Sequence, residues 1–343
     1  MRKLLNTLYI TSEDAYLSLK GETVCVDIGE KQVGRIPLHT LESIVSFSYS
    51  GASPALMGAC AEKGINLAFF TRHDRFLCRV AGEDRGNVLL RKQQYRISDN
   101  EQKSCCIARN FIFGKVYNSR WNIDRSVRDH EMRIDVERCR NAESFLADAL
   151  PRIRGQEDLN SLRGIEGECA SIYFGVFDEL ILNQKKDFFF KERSKRPPRD
   201  NVNAMLSFVY TILANDCAAA LEGVGLDSYV GFMHRDRPGR QSLALDLMEE
   251  LRSVIADRFV LTMINNKQVK PEFFEQTDSN AVVFTEEGRK KLLTVWQEHK
   301  KEEITHPYLK EKVPWGLVPH VQALLLARYL RDDLDEYPPF LWK

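Results

Sequence analysis

The stretch AGEDRGNVLLRKQQYRIS, residues 81–98, separates two parts of the chain that carry different sequence patterns. Its first seven residues are polar and include two glycines, which is typical of a hinge. Before the hinge, short β-favouring runs alternate with turn residues, which predicts an antiparallel sheet or a small sandwich. These runs are residues 8–10, 16–19, 24–28, 34–38, 44–47, 67–70 and 76–80. Between two of them, Ser53 as N-cap, Pro54 in the first turn and Gly64 as the end predict one short helix.

After the hinge, apolar residues recur every three or four positions, which predicts helices. The helical segments are residues 89–98, 101–127, 142–150, 162–182, 204–223, 242–260 and 289–296, and residues 281–284 carry a strand signal. The predicted fold class is therefore α+β. A small N-terminal β-rich, sandwich-like domain at residues 1–85 is followed by a larger all-α domain at residues 86–343.

Composition excludes several classes of protein. Among the 343 residues, 49 Lys plus Arg balance 49 Asp plus Glu, which excludes a uniformly basic nucleic-acid coat protein but not a local basic groove. No run approaches the roughly 20 consecutive apolar residues of a membrane helix, and the first residues lack the pattern of an export signal. Eight scattered cysteines without a C-x-x-C pair predict reduced, mostly buried thiols, with no disulfide scaffold and no structural zinc. We therefore expect a cytoplasmic protein that does not bind a membrane.

Residues 185–200, KKDFFFKERSKRPPRD, depart from this neutral average, since seven Lys or Arg stand against three acids. Two adjacent prolines exclude a continuous helix, so the segment is predicted to be a loop that straps one helix to the next. Two interpretations of this basic strap stay open. It is either a solvated loop or an arm that contacts phosphates, because cationic side chains release counterions when they meet a nucleic-acid backbone.

The motif LRGIEGECA, residues 162–170, places glycines on both sides of Glu166. Each glycine costs a helix interior about 1 kcal/mol relative to alanine. The pair of glycines therefore indicates one of two arrangements. Either a large ligand approaches the backbone beside Glu166, or the helix packs tightly against another helix and Glu166 is merely exposed.

A second motif, GFMHRDRPGR at residues 231–240, is a loop that carries His234 and leads into the helix SLALDLMEELR, residues 242–252. Ser242 is predicted to cap this helix, and Asp246 and Glu249 lie three residues apart on one face. The arginines around them are residues 235, 237, 240 and 252. Solvated acids and a structural histidine would account for this pattern, but the basic rim favours a metal site that acts on a phosphodiester. Carboxylates and an imidazole suit Mg²⁺ or Mn²⁺, which polarises phosphoryl oxygens.

At these residues the chain resembles the family of CRISPR-associated adaptation integrases, the Cas-one proteins. The matching motifs, in the family's order, are LLRKQQYR, GIEGECASIYF, RPPRDNVNAMLSFVYTILANDC, GLDSYVGFMHRDRPGRQSLALDLMEELR and the terminal PFLW. The long central motif is most similar to that of type I systems of the C subtype. The resemblance covers essentially the whole chain, and it implies that the β-rich domain forms the dimer and that the helical domain is catalytic.

The resemblance implies a metal-dependent DNA endonuclease and integrase of antiviral defence, which inserts short DNA fragments, the spacers, into a CRISPR repeat array. In this reaction, the 3′-hydroxyl of the fragment attacks a phosphodiester at the repeat boundary. The family's metal ligands fall on Glu166, His234 and Glu249, with Mg²⁺ or Mn²⁺ as the ion. Asp246 matches a second acidic position that supports the site or shares the metal, so all four residues are predicted to be catalytic.

The residues predicted to contact DNA are Arg163, Arg199, Asn203, Tyr210, Arg240 and Arg252. The resemblance also implies three partners: double-stranded or branched DNA, a second copy of the chain in a homodimer, and a small ferredoxin-like Cas protein. The acidic and aromatic end DDLDEYPPFLWK, residues 332–343, is either a docking tail or a frayed end.

Two other functions stay open. The same ligands would serve a general metal-dependent phosphodiesterase or nuclease acting on small substrates. The chain could instead be a non-catalytic DNA-binding assembly subunit whose acids lie on its surface. The basic strap and the arginine-rich loop favour a polymeric phosphate substrate.

Overall fold

The computed structural model describes residues 6–71, 75–82 and 88–343. Most of the predicted hinge, and with it the predicted domain boundary between residues 85 and 86, lies outside the described residues. The elements before the hinge are β1 (Thr7–Ile10), β2 (Ala15–Lys20), β3 (Thr23–Ile28), β4 (Lys31–Pro37), β5 (Ser43–Ser46), α1 (Pro54–Lys63), β6 (Asn66–Phe70) and β7 (Phe76–Arg79). The prediction for α1 is confirmed, because the side chain of Ser53 accepts a hydrogen bond from the backbone of Leu56 and Gly64 ends the helix with a φ of 66°.

The strands form two sheets. Strands β2, β3 and β4 make an antiparallel sheet, whereas the other sheet has the order β1-β5-β6-β7. In the latter, β5 pairs in parallel with both β1 and β6, and only β7 runs antiparallel. The prediction of an antiparallel sheet is therefore wrong for β1, β5 and β6. The reason is that α1 connects β5 to β6 as a strand–helix–strand crossover, a connection that places neighbouring strands in parallel.

The four-stranded sheet is buried on both faces. Because side chains alternate along a strand, Ile44 and Leu67 face a small core shared with α1 and the three-stranded sheet. Their neighbours Val45 and Ala68 face the opposite way, into the larger core made by the helices. The sheet is thus the layer that joins the two hydrophobic cores.

The part after the hinge is predominantly helical. Its helices are α2 (Val88–Ser98), α3 (Glu101–His130), α4 (Val136–Arg154), α5 (Leu159–Gly175), α6 (Asn201–Gly223), α7 (Ser242–Leu251), α8 (Arg258–Asn265), α9 (Glu286–Lys301) and α10 (Val318–Leu330), with a π-helical segment (Arg252–Asp257) between α7 and α8. The predicted α+β class is confirmed. The prediction of an all-α second part is wrong in detail, since two antiparallel hairpins interrupt it: β8 (Phe274–Gln276) with β9 (Val282–Phe284), and β10 (Glu303–Thr305) with β11 (Lys312–Pro314).

Two features bear on the compartment of the protein. By length and composition α6 could cross a membrane, but 72% of its apolar window is buried inside the protein, as in a core helix. Six of the eight cysteines are buried, and only Cys78 and Cys106 are exposed, which confirms the prediction of mostly buried thiols. The cytoplasmic location stays a prediction.

Candidate active site

Two of the predicted carboxylates meet at one lysine. The ammonium of Lys115, on α3, forms an ion pair with Glu166 on α5 and lies 2.7 Å from Oε2 of Glu249 on α7. Helices α3 and α7 approach this closely because Gly114 has no side chain, since a Cβ there would lie 2.8 Å from the Cβ of Glu250. The side chain of Glu249 is 6% exposed and that of Glu166 is 25% exposed. Glu166 is therefore the carboxylate that faces solvent.

The glycines beside Glu166 leave open space. A Cβ added at Gly164 or Gly167 would meet no atom within 4 Å. These glycines therefore do not serve tight helix packing, and that interpretation of the motif is wrong. The remaining interpretation, in which a large ligand approaches the backbone beside Glu166, agrees with this open surface.

Asp246 holds the loop that carries His234. Its Oδ2 accepts hydrogen bonds from the backbone N–H groups of Phe232 and Met233, at 2.6 and 2.9 Å, and its Oδ1 accepts one from that of His234, at 2.9 Å. Oδ1 also lies 2.6 Å from Nδ1 of the His234 ring. Asp246 is fully buried, so both of its oxygens are used within the loop. This arrangement fixes the ring and leaves Nε2 of His234 to face Glu249, 4.0 Å from Oε1.

The start of α7 differs from the prediction. The N-cap residue is Gln241, and no side chain caps the helix. Ser242 is the buried first residue of the helix, and its hydroxyl donates to the carbonyl of Arg235 at 3.2 Å. The predicted capping by Ser242 is therefore wrong, and this hydroxyl instead fixes the histidine loop to the helix.

Two cations keep Glu249 ionised inside the protein. Burial opposes ionisation, but the Arg252 guanidinium and the Lys115 ammonium outweigh it and hold the pKa of Glu249 at about 2. Arg252 donates to Oε1 of Glu249 at 2.9 Å and lies over the ring of Tyr210, 4.9 Å from its centroid. Burial likewise opposes the charge of Lys115, yet Glu249 and Glu166 raise its pKa. The site is thus a compact cluster of permanent charges.

The donors in this cluster suit a divalent cation. Two carboxylates converge on one positive charge, and an oriented imidazole nitrogen lies beside one of them. These ligand types are the ones that Mg²⁺ and Mn²⁺ accept. Within residues 6–71, 75–82 and 88–343, no group of three or more His, Cys, Asp or Glu side chains is already close enough to hold a metal ion. The ammonium of Lys115 takes the place between the carboxylates.

Sequence comparison places the chain in a known family. The family described as CRISPR associated protein Cas1 matches residues 8–298. The chain belongs to the Cas1 family. A CRISPR-associated endonuclease Cas1 of Chlorobaculum tepidum is 48% identical to it over 343 residues, which cover 100% of both proteins. The prediction of family membership is confirmed, whereas the C subtype stays a prediction.

Solved structures share the Cas1 fold. A casposase bound to its integration product superposes with a TM-score of 0.84 at 20% identity, over 98% of this chain and 94% of that one. A chain of a Cas6-RT-Cas1–Cas2 complex superposes with a TM-score of 0.80 at 21% identity, over 98% of this chain and 36% of that one. These similarities establish the fold over nearly the whole length of the chain.

The four arginines predicted to contact DNA in this Cas1 chain differ in how they are held. Arg163 donates from Nε and Nη2 to the carbonyl of Met233, at 3.1 and 2.7 Å, so it braces the histidine loop. Arg252 is bound to Glu249 as described. Arg199 is exposed and Arg240 is half-buried. Contacts of these four arginines with DNA stay a prediction.

Two of the predicted DNA contacts are buried. Asn203 is fully buried, and its Oδ1 accepts hydrogen bonds from Arg193 and from the backbone of Ser194, at 2.7 and 3.0 Å. Tyr210 is 8% exposed, and its hydroxyl donates to Asp257. The structure therefore contradicts a direct DNA contact for the Asn203 side chain and for the Tyr210 hydroxyl. Both residues have a structural role. Asn203 holds the strap through Arg193 and Ser194, and Tyr210 holds the carboxylate of Asp257.

The basic strap is anchored at one end of the site. Phe188 and Phe190 are buried, and the guanidinium of Arg193 lies over the ring of Tyr210, 5.3 Å from its centroid. Tyr210 therefore contacts both the strap and Arg252. Desolvation and the positive charges of Arg252 and Arg193 lower the pKa of Lys195, which places this end of the strap beside the cluster. The exposed cations of the strap are Lys185, Lys186, Lys191, Lys195, Arg196 and Arg199.

The sequence interpretation missed the floor of the site. Tyr173 donates to Asp257 at 3.1 Å, and Asp257 also accepts from Tyr210. Burial raises the pKa of Asp257 to about 6, although its hydrogen bonds and nearby arginines oppose this. The interpretation missed Lys115 as well. The sequence does carry a signal for Lys115, because it lies next to Val116 on the apolar side of a long helix. A lysine at such a position is predicted to be buried, and a buried lysine almost always has an acidic partner.

The C-terminal residues pack behind the cluster. Asn118 on α3 donates to the carbonyls of Glu250 and Phe340, at 2.7 and 2.8 Å, and accepts from the backbone N–H of Trp342 at 2.9 Å. Phe340 and Tyr337 are fully buried. The interpretation of a frayed end is therefore wrong for this segment. A docking role stays a prediction, and it would rest on the mostly exposed acidic residues 332–336.

Proposed function

We propose that this chain is a metal-dependent DNA integrase and endonuclease that inserts short DNA fragments into a CRISPR repeat array. The observation that carries the proposal is the convergence of Glu166 and Glu249 on one cation, with the fixed imidazole of His234 beside them. Membership of the Cas1 family, and a full-length relative named as an endonuclease, support the same class of reaction.

Glu166, Glu249 and Nε2 of His234 would hold Mg²⁺ or Mn²⁺. When bound, such an ion polarises a phosphoryl oxygen and stabilises the charge that develops during phosphodiester exchange. Asp246 is a positioning residue rather than a ligand, because the loop backbone and the His234 ring already use both of its oxygens. Its hydrogen bond to Nδ1 keeps Nε2 free to bind the ion or accept a proton.

In the proposed reaction, the 3′-hydroxyl of the incoming fragment releases its proton to the surrounding water, and its oxygen bonds to a phosphorus at the repeat boundary. The bond from that phosphorus to the 3′ oxygen of the adjoining repeat strand breaks, and the departing oxygen takes up a proton. Cationic residues of the strap would position the DNA through its phosphates, which fixes register without reading bases. The open surface beside Gly164 and Gly167 gives the backbone of a duplex room to approach Glu166.

The proposed partners are DNA, a second copy of this chain and a small ferredoxin-like Cas protein. The fold is shared with a chain of a Cas6-RT-Cas1–Cas2 complex and with a casposase bound to its integration product, which supports DNA and a Cas partner. The dimer through the β-rich part rests on the family resemblance.

The decisive experiment is a strand-transfer assay with a pre-processed duplex, a repeat-bearing plasmid and the small Cas partner. After chelation, Mg²⁺ or Mn²⁺ should restore transfer, and Glu166→Ala, His234→Ala and Glu249→Ala should each abolish it. The matched control is Glu168→Ala, because Glu168 lies on the same helix, is 56% exposed and pairs only with Arg152 in the described residues.

Three outcomes would contradict the proposal. Transfer retained in any two of the three alanine variants would remove the proposed ligand set. Hydrolysis of a small phosphodiester without dependence on DNA ends would favour a general phosphodiesterase. DNA binding that needs no ion and leads to no product would favour a non-catalytic assembly subunit.

A further inference from the structure

Lys115 lies where an ion shared by the two carboxylates would lie. Its ammonium contacts Glu166 and is 2.7 Å from Oε2 of Glu249, and its side chain is only 10% exposed. The backbone of Lys115 is fixed by the close packing of α3 on α7 at Gly114. Movement of this positive charge therefore depends on the lysine stem alone, which has four rotatable bonds.

Within the direct ion pairs of the cluster, the two signs of charge are equal in number. Two carboxylates, Glu166 and Glu249, stand against two cations, Lys115 and Arg252. A divalent ion on the same carboxylates would add two positive charges within a few ångströms of both cations, and such repulsion is strong in a partly buried site. One of the two cations has to leave for the ion to bind tightly.

Arg252 is the less movable of these cations. Its guanidinium is held by Glu249 and by the ring of Tyr210, and Tyr210 is in turn fixed by Asp257. The described contacts of the Lys115 ammonium are the two carboxylates themselves. When an ion takes those carboxylates, Lys115 loses its anchor, whereas Arg252 keeps the aromatic ring.

We propose that Lys115 is a built-in competitor for the metal site: its ammonium occupies the position between Glu166 and Glu249 and must swing away before a divalent ion binds. The inference rests on the proposed metal site and adds a residue that sets its affinity. An ion pair of this kind keeps the buried Glu249 and the half-buried Glu166 compensated while the protein folds, at the expense of weaker metal binding.

The test measures Mn²⁺ binding to the full-length protein by electron paramagnetic resonance, with no DNA present. Lys115→Met should bind Mn²⁺ about 10–100-fold more tightly than the wild-type protein, because the ion no longer displaces a charge-assisted contact. Lys115→Arg keeps the charge and should bind no more tightly than wild type. Lys103→Met is the matched control, since Lys103 is an exposed lysine in the first turn of the same helix.

A second readout is the melting temperature. After chelation, Lys115→Met should melt below wild type, because Glu166 and Glu249 repel each other without the ammonium. Saturating Mn²⁺ should then raise the melting temperature of Lys115→Met by more than that of wild type. If Lys115→Met does not fold, Lys115→Gln removes the charge and keeps a hydrogen-bond donor, and the same comparisons decide.

Two failures can be told apart. If wild type binds Mn²⁺ and the uncharged variants bind it equally or more weakly, Lys115 is a supporting residue and the inference is overturned. If wild type shows no saturable Mn²⁺ binding, the proposed metal site itself falls, and the inference falls with it.

Discussion

Replacing Glu250 with glutamine should flatten the pH dependence of folding stability near neutrality. The Glu250 carboxyl is fully buried next to Glu249. It accepts hydrogen bonds from Tyr337, from Gln322 at 2.9 Å and from the backbone of Phe340 at 2.7 Å, all of them neutral donors. Burial raises its pKa from the ordinary 4.5 to about 7, because these hydrogen bonds offset the desolvation only in part.

The sign follows from proton linkage. The folded protein binds the Glu250 proton more tightly than the unfolded chain, so this contribution to stability is complete below the unfolded pKa and is lost as pH rises through about 7. With a pKa of 4.5 in the unfolded chain and about 7 in the folded protein, the contribution of Glu250 to the free energy of unfolding falls by about 2.5 kcal/mol between about pH 5 and about pH 8. Glu250→Gln has no proton to lose, so its stability should lack this decrease.

The assay is urea denaturation, followed by tryptophan fluorescence at several pH values, for wild type, Glu250→Gln and the exposed control Glu168→Gln. A difference in the free energy of unfolding between wild type and Glu250→Gln that is the same at every pH reports the hydrogen bonds that the amide rearranges. Only a change of that difference with pH reports the buried proton. Parallel wild-type and Glu250→Gln curves from about pH 5 to about pH 8 would refute the reasoning.

Three further predictions concern the same region. Asp246→Asn should weaken Mn²⁺ binding about 10–100-fold, because an amide cannot orient the His234 ring as the carboxylate does; resonance titration checks this, and unchanged affinity would contradict it. Gly114→Ala should lower the free energy of unfolding by about 1–3 kcal/mol, because its Cβ would lie 2.8 Å from that of Glu250. Urea denaturation measures the loss. A variant as stable as wild type would show that helices α3 and α7 separate easily. Binding to branched DNA should weaken steeply as salt rises, and Arg199→Ala should reduce the slope of log Kd against log salt by about one. A flat response to salt would show that the strap does not bind phosphates.

Much of the fold could be predicted from local pattern, but strand pairing could not. The helix at Pro54–Lys63 followed from its cap, proline and terminal glycine. The parallel pairing of β1 with β5 depends on which strands meet across the inserted β2–β4 sheet, and alternation within a strand carries no such information. The crossover from β5 through α1 to β6 was a usable signal for parallel strands, since each of its elements was predicted.

The ends of the helices were likewise predicted only in part. Apolar spacing continued past Gly175 because a 3₁₀ turn at Phe177–Leu180 also buries its apolar side chains, so the predicted helix was too long. Helix α10 was not predicted, although Pro319 lies in its first turn, where proline fits a helix.

At the candidate site, the sequence indicated the clustered acids and the histidine but not the residues that support them. The motifs pointed to Glu166, His234, Asp246 and Glu249, which the fold brings together. The difference between Asp246, which holds the histidine loop, and Glu249, which faces the ammonium of Lys115, depends on the backbone N–H groups of that loop. No pattern of side chains in the sequence encodes those backbone contacts. Lys115 lies 51 residues from Glu166 in the chain, so the contact between them is a property of the helix packing alone.

The buried thiols allow local unfolding of the chain to be measured through their chemical modification. Cys60 lies in the small core, whereas Cys139 and Cys169 lie in the large one. Burial shields these thiols from reagents and raises the pKa of each to about 11, so an alkylating reagent near neutral pH modifies them when their surroundings open. Measuring the rate of modification of each thiol by mass spectrometry would then give a separate opening free energy for each core, without introducing any new residue.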